Sequence, residues 1–380
     1  MKRLIPVLTL CAIPLFLACQ DMAIQYYNRG IKALERGDTT QAIDFFTRSI
    51  DQRSDDPDVH TNLGVALYGA GEYEKALEQF KIALEAHPDD PHMHYNVAEA
   101  YMALGMMQSA KSEYEFALRL DSDFVEALTS YGRLLFDLQR YKDAERNLIH
   151  AITVLPTYSR AYVNLGWVYA QTGKYFEAAS YFYRGLKGDP ASVDGRLGVA
   201  YTLLMREEYD QALLEYQKIF TKHPDNAQAT YGMGLCYLHM DKFKQAERML
   251  SQAVESKERF PEAWKALGDL YYKQNKLTEA TANYRMAVHQ QEDYPDALIS
   301  LARIYISLDQ LDQADQTLQT VLYRSAGNPE AYYELGRLYM KRGDRKTSRE
   351  YLEKAVENAG SNVDVRRAAQ GLLDSTDEDR

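Results

Sequence analysis

Small residues return every 34 positions along most of this chain, and that spacing constrains its fold more than any other feature. Gly30, Gly64, Ala98, Gly132, Gly166, Ala200, Gly234, Gly268, Ala302 and Gly336 share one phase of the repeat; Ala42, Ala76, Ala110, Ala144, Ala178, Ala212, Ala246, Ala280, Ala314 and Ser348 share a second. The repeats run without insertion as 23–56, 57–90, 91–124, 125–158, 159–192, 193–226, 227–260, 261–294, 295–328 and 329–362. Such a chain stacks like units and buries a continuous core by contact between neighbours. A glycine inside a helix costs about 1 kcal/mol relative to alanine, so its return at one phase requires close approach of two helices.

Proline gives an independent check, because a helix accepts it in the first turn and rejects it in the interior. Pro57, Pro91, Pro261, Pro295 and Pro329 open their repeats, and Pro88, Pro156, Pro190 and Pro224 fall at the thirty-second position. None interrupts a predicted helix. Leu63, Leu165, Leu267, Leu301 and Leu335 hold the seventh position, Tyr101, Tyr169, Tyr237, Tyr271, Tyr305 and Tyr339 the eleventh, and Phe46, Phe80, Tyr114, Phe182, Tyr216 and Tyr284 the twenty-fourth. Spacings of three, four and seven place these residues on one helical face.

The period and these positions resemble the tetratricopeptide (TPR) repeat. The resemblance implies an all-α fold, a right-handed α-solenoid superhelix of ten helix-turn-helix repeats. Its first helices would line a concave groove through positions two, five, six, nine, twelve and thirteen. Departures are few: Ile219 and Val321 replace the small residue usual at position twenty-seven, and Ser54, Ser122, Glu258, Glu292, Ala326 and Gly360 the usual proline at thirty-two.

Both ends depart from the pattern. Lys2 and Arg3 precede an apolar run from Leu4 to Ala18, the shape of a secretory leader over 1–18. It ends in LFLAC, which resembles the bacterial lipobox with Cys19 as the lipid-bearing residue; an ordinary leader that happens to end before a cysteine is the alternative. Residues 19–22 would be a lipidated N-terminus and short linker. Gln20 after the cysteine implies, by the sorting rules of such lipoproteins, the outer membrane of a bacterial envelope, facing the periplasm. Several acyl chains suffice for stable anchoring. At the other end, 363–374 is expected as a capping helix with Val365, Ala369 and Leu372 inward, and 375–380 as a disordered acidic tail.

Catalytic motifs are missing: no Walker loop, dinucleotide glycine fingerprint, HExxH, CxxC or serine-hydrolase elbow occurs, so no enzyme activity, no cofactor and no metal is expected. His60, His87, His92 and His94 come from neighbouring repeats, yet side chains two apart on a helix diverge. The net charge of −11 disfavours nucleic acid and anionic lipid as partners.

The groove positions fall into three zones. Asn28, Asn62, Asn96 and Asn164 at position six resemble the asparagine ladder with which some TPR superhelices hold an extended peptide, although asparagine is also common there across the family. Val163, Trp167, Leu197, Tyr201, Leu204, Tyr231, Leu235 and Leu238 form an apolar zone, with Gly198 and Gly232 leaving room for a ligand; packing between repeats is the alternative. Lys265, Lys273, Arg303, Arg337 and Lys341, edged by Glu262, Asp296 and Glu330, would orient an acidic segment or simply form a solvated face. A carboxylate clamp of the chaperone-binding kind is not expected, since Tyr27, Ile31, His92 and Asn96 stand at four of its five places.

The chain thus reads as a protein-binding adaptor or scaffold. It resembles the pilotin lipoproteins of type IV pili and secretins. Adaptors for periplasmic proteases or peptidoglycan enzymes, scaffolds for polysaccharide export and a self-associating structural element remain alternatives. The oligomeric state is left open.

Overall fold

The computed structural model describes residues 12–52, 56–360 and 362–378, and the described residues form helices and turns without a strand. Two compact units, Met1–Gly198 and Val199–Arg380, are each taken by itself.

In the first unit the helices are α1 (Ala12–Glu35), α2 (Thr39–Asp51), α3 (Pro57–Gly69), α4 (Tyr73–Ala86), α5 (Pro91–Ala103), α6 (Met107–Leu120), α7 (Val125–Asp137), α8 (Tyr141–Val154), α9 (Ser159–Gln171) and α10 (Tyr175–Gly188). The unit boundary falls inside α11 (Val193–Met205). The second unit continues with α12 (Tyr209–Lys222), α13 (Ala227–His239), α14 (Phe243–Ser256), α15 (Pro261–Lys273), α16 (Leu277–Gln290), α17 (Pro295–Ser307), α18 (Leu311–Arg324), α19 (Pro329–Lys341), α20 (Arg345–Asn358) and α21 (Val363–Glu378). Within each unit, every helix packs mainly on its immediate neighbours in sequence. This is an all-α TPR solenoid.

Local chemistry sets the starts. Proline opens α3, α5, α15, α17 and α19, where its missing N–H costs nothing. Asp56 and Asp90 cap α3 and α5 by accepting from the backbone N–H of Asp58 and His92, and Asn226 and Asn328 accept from Ala229 and Ala331. Each first helix ends in a residue of left-handed conformation that turns the chain into the second: Gly37, Gly71, Gly105, Gln139 and Gly173, then Glu207, Asp241, Asn275, Asp309 and Gly343.

The small residues do what their period requires. A Cβ on Gly64 would lie 2.5 Å from the Phe80 ring, and one on Gly166 2.7 Å from Phe182. Ala42, Ala76, Ala110, Ala144 and Ala178 are fully buried against the same interface in the first unit. Cys236, in α13, is buried, and burial pushes its thiol up to about 12.

Both ends differ from expectation in helix length. The expected junction of anchor, linker and first repeat at 19–22 lies inside α1, which begins at Ala12. Most of the expected leader, residues 1–11, lies outside the described residues, as do 379–380 of the expected tail. Helix α21 passes Asp374 and runs to Glu378, so the stretch from Ser375 begins as helix rather than disordered chain. Its inward residues are Ala369 and Leu373, which pack with Leu352 and Ala355 of α20; Leu372 is only half-buried. Ala369 is buried as expected, Leu372 packs at the edge of the cluster and Val365 is half-buried, so the face is widened by Leu373.

Candidate functional site

In the first unit the position-six asparagines divide. Asn28 is exposed and Asn96 half-buried, and neither side chain has a partner among the described residues. Asn62 donates through Nδ2 to the Asp58 carbonyl at 2.8 Å and to the Tyr27 hydroxyl at 3.3 Å. Asn164 is 7% exposed and donates to the Thr129 carbonyl at 3.4 Å. A buried amide must find an internal partner, so Asn164 is a structural residue and the expected ladder stops before it.

The apolar zone separates in the same way. Val163 is buried, because its Cγ2 fills the space where Gly185 lacks a side chain. Trp167 is half-buried; its indole N–H donates to Asp194 Oδ1 at 3.0 Å and its ring meets Phe182 edge-on at 5.1 Å. Leu197 is half-buried. In the second unit Tyr201, Tyr231 and Leu235 are half-buried, with the Tyr231 ring 5.0 Å from Phe260. Desolvation raises the Tyr231 hydroxyl above its usual range. Leu204 and Leu238 are buried, Leu238 in a cluster with Leu250, Leu267 and Leu270, so both are core rather than groove residues. Room for a ligand beside Gly198 and Gly232 is not found: the rings of Phe182 and Tyr216 occupy those places.

The basic zone of the second unit is paired internally. Lys265 meets Asp269 at 2.9 Å, Lys273 meets Asp241 at 3.4 Å and Lys341 meets Asp309 at 3.2 Å. Lys341 also donates to the Ile306 carbonyl at 2.6 Å. Arg303 Nε donates to Glu334 Oε1 at 2.6 Å and Arg337 donates to Oε2 of the same carboxylate at 2.8 Å. Glu334 is wholly buried, and two charge-assisted bonds make that burial tolerable. Burial opposes the charge on Arg303, but the Glu334 carboxylate outweighs it and holds the guanidinium pKa above its ordinary value. Glu334 and Asp194 escaped sequence reasoning; a carboxylate at position six or two, facing position nine of the preceding repeat, is the signal that finds them.

His94 and His60 are held by neighbouring side chains, whereas His87 and His92 are exposed. His94 is bonded to Glu113 at 2.7 Å and to the Pro88 carbonyl at 3.0 Å, and its ring stacks on Phe116 at 5.3 Å. His60 pairs with Gln79 at 2.8 Å. Among the described residues no group of three or more histidine, cysteine or acidic side chains is placed to hold a metal ion, and no helix is long and apolar enough to cross a membrane.

Three comparisons with known proteins bear on this arrangement. Type IV pilus assembly protein PilF of Pseudomonas aeruginosa is 32% identical over 104 residues, which is 27% of this chain and 41% of that protein, so this chain spans less than half of its length. A tetratricopeptide repeat protein from Parabacteroides merdae is similar in structure at a TM-score of 0.53 and 19% identity, over 64% of this chain and 97% of that one. Yeast Tom70 is similar at a TM-score of 0.51 and 15% identity, over 94% and 96%. At these identities the two structures speak to fold alone. The tetratricopeptide repeat model matches residues 33–100 and 68–115. The model described as Cilia and flagella-associated protein 70 C-terminal domain matches residues 115–371, two-thirds of the chain, and with that match the chain belongs to this family of tetratricopeptide-repeat domains.

Proposed function

We propose that this chain is a lipid-anchored scaffold of a bacterial outer membrane, facing the periplasm, which docks a partner protein or extended peptide on the groove positions of its first helices. A TPR array is a protein-interaction scaffold, and that much follows from the family. The observation that carries the finer reading is the set of accessible groups on the first unit: the unpartnered amides of Asn28 and Asn96 and the half-buried Trp167 and Leu197. Amides can bond the backbone of an extended segment, while tryptophan supplies a large contact area at low entropic cost. The identity to PilF over 104 residues supports a place in the assembly of a pilus or secretion complex.

Two experiments test the reading. Pull-down from solubilised envelopes should recover a partner whose affinity for Trp167→Ala falls by at least about 2 kcal/mol if Trp167 is a hot spot. Because Trp167 also packs on Phe182, Asn96→Ala serves as the second variant; unchanged affinity in both moves the site elsewhere. Replacing Cys19 by serine should release the protein from membranes, and retention after a high-salt wash refutes the anchor.

A further inference from the structure

The first repeat breaks a rule that every later repeat keeps. At position seven the other repeats bury an apolar side chain, among them Leu63, Val97, Leu165, Leu267 and Leu335, where the first has exposed Arg29. At position ten they bury Ala66, Ala100, Leu134, Leu270 and Leu338 among others, where the first has exposed Lys32. At position three Val59, Ala127, Ala263 and Ala331 are buried, whereas Gln25 is exposed. These positions form the stacking face of a first helix, and on α1 they meet no other helix among the described residues.

Water alone would be satisfied by any polar residues there, and in a chain with more carboxylates than cations acidic ones would be the ordinary choice. Instead Arg29, Lys32 and Arg36, spaced by three and four, present a basic stripe. All three are exposed, and none makes an ion pair or side-chain hydrogen bond among the described residues. The paired cations of the second unit offer the contrast. Asp21 and Glu35 belong to the same stretch and leave the stripe with a net positive charge. Toward the start of the helix, seven residues before Arg29, the stripe continues into Met22, 43% exposed. An apolar tip followed by unpaired cations is the composition of a helix that lies on a charged lipid surface.

We propose that this face of α1 and the turn after it binds the anionic headgroups of a phospholipid membrane, with Met22 entering the interface and Arg29, Lys32 and Arg36 against the phosphates. The contact does not require acylation. It shares with the proposed anchor only its position on α1, and the two fail separately.

The test uses the full chain and vesicles of phosphatidylcholine alone or with about one-third phosphatidylglycerol. Comparing the two compositions cancels any insertion of the apolar N-terminal run. Arg29→Gln, Lys32→Gln and Arg36→Gln combined should reduce the preference for anionic vesicles by about 100-fold. Neutralising three other exposed lysines, Lys187, Lys222 and Lys244, should leave it nearly unchanged. High salt should erase the wild-type preference, and Arg29→Lys with Arg36→Lys should retain it. The proposal is overturned if the stripe variant keeps the preference of the lysine control, or if the charge-conserving pair loses it. It is equally overturned if the stripe variant changes oligomeric state in light scattering while vesicle preference stays the same, since the face then meets a second copy. Cys19→Ser, by contrast, should abolish salt-resistant retention without altering the dependence on lipid charge.

Discussion

The two units make the same turn from different residues. In the first, glycine fills the left-handed position in four repeats and only Gln139, at φ 59°, replaces it; in the second, Glu207, Asp241, Asn275 and Asp309 hold φ values of 54–62° and only Gly343 is glycine. An L-residue in that conformation costs about 1–2 kcal/mol, less for asparagine and aspartate. The stacking of helices therefore dictates the turn, and the residue follows. In exchange the second unit gains carboxylates at fixed places: Asp241 and Asp309 pair with Lys273 and Lys341 of the next repeat. At groove positions the first unit leaves the amides of Asn28 and Asn96 unpartnered among the described residues, whereas the second ties Lys265, Lys273, Arg303, Arg337 and Lys341 to carboxylates.

The largest effect that would sharpen this contrast concerns Glu334. Its replacement by alanine removes two charge-assisted hydrogen bonds, leaving Arg303 with Glu330 at 3.8 Å, and should cost about 2–3 kcal/mol, read as a lower denaturant midpoint. A loss below about 1 kcal/mol would mean that the second unit is not held by its ion pairs. Next comes Gly232→Ala, where the helix-propensity gain of about 1 kcal/mol is opposed by a clash with the Tyr216 ring. Net destabilisation by about 1–2 kcal/mol is expected; stabilisation would show that the ring can move. Glu207→Gly and Gln139→Gly should each stabilise by up to about 1 kcal/mol, whereas Gly71→Ala should destabilise similarly. Equal responses from all three would break the argument that one turn serves both units.

The smallest expected effect is a pH dependence at His239, whose ring stacks on Tyr209 at 4.9 Å. The ring is solvent-exposed, yet partial desolvation by its neighbours, then Lys273, holds its pKa below the ordinary value. The unfolded chain consequently binds the proton more readily. Stability from this group is complete above the unfolded pKa of about 6.5 and is lost as pH falls through it. His239→Gln should flatten the midpoint between pH 7.5 and 5.5, and an unchanged slope removes the assignment.

The fold could be read from the sequence because its signals repeat: Gly64 and Phe80, or Gly166 and Phe182, state the same contact in each repeat. Groove residues were harder. Leu204 and Leu238 occupy positions nominally facing the groove, but inter-repeat packing covers them, which composition at a single position does not reveal. Gly198 and Gly232 looked like space and are instead the seats of Phe182 and Tyr216, for the same reason that Gly64 is small. Pairings such as Trp167 with Asp194 and Arg303 with Glu334 join adjacent repeats, so they become visible only once the repeats are laid over one another.

The polar first face of α1 has a consequence for self-association. Buried Leu63 and Ala66 show what an interior face offers to the helix before it: a dry surface that another copy could meet. Had Arg29 and Lys32 been leucine and alanine, two copies could meet through that face, and because α21 covers α20 at the other end the contact would stop at a pair. Two charged side chains in the last turns of α1 therefore keep that face from pairing with a second copy, and a variant carrying both apolar residues should dimerise in light scattering.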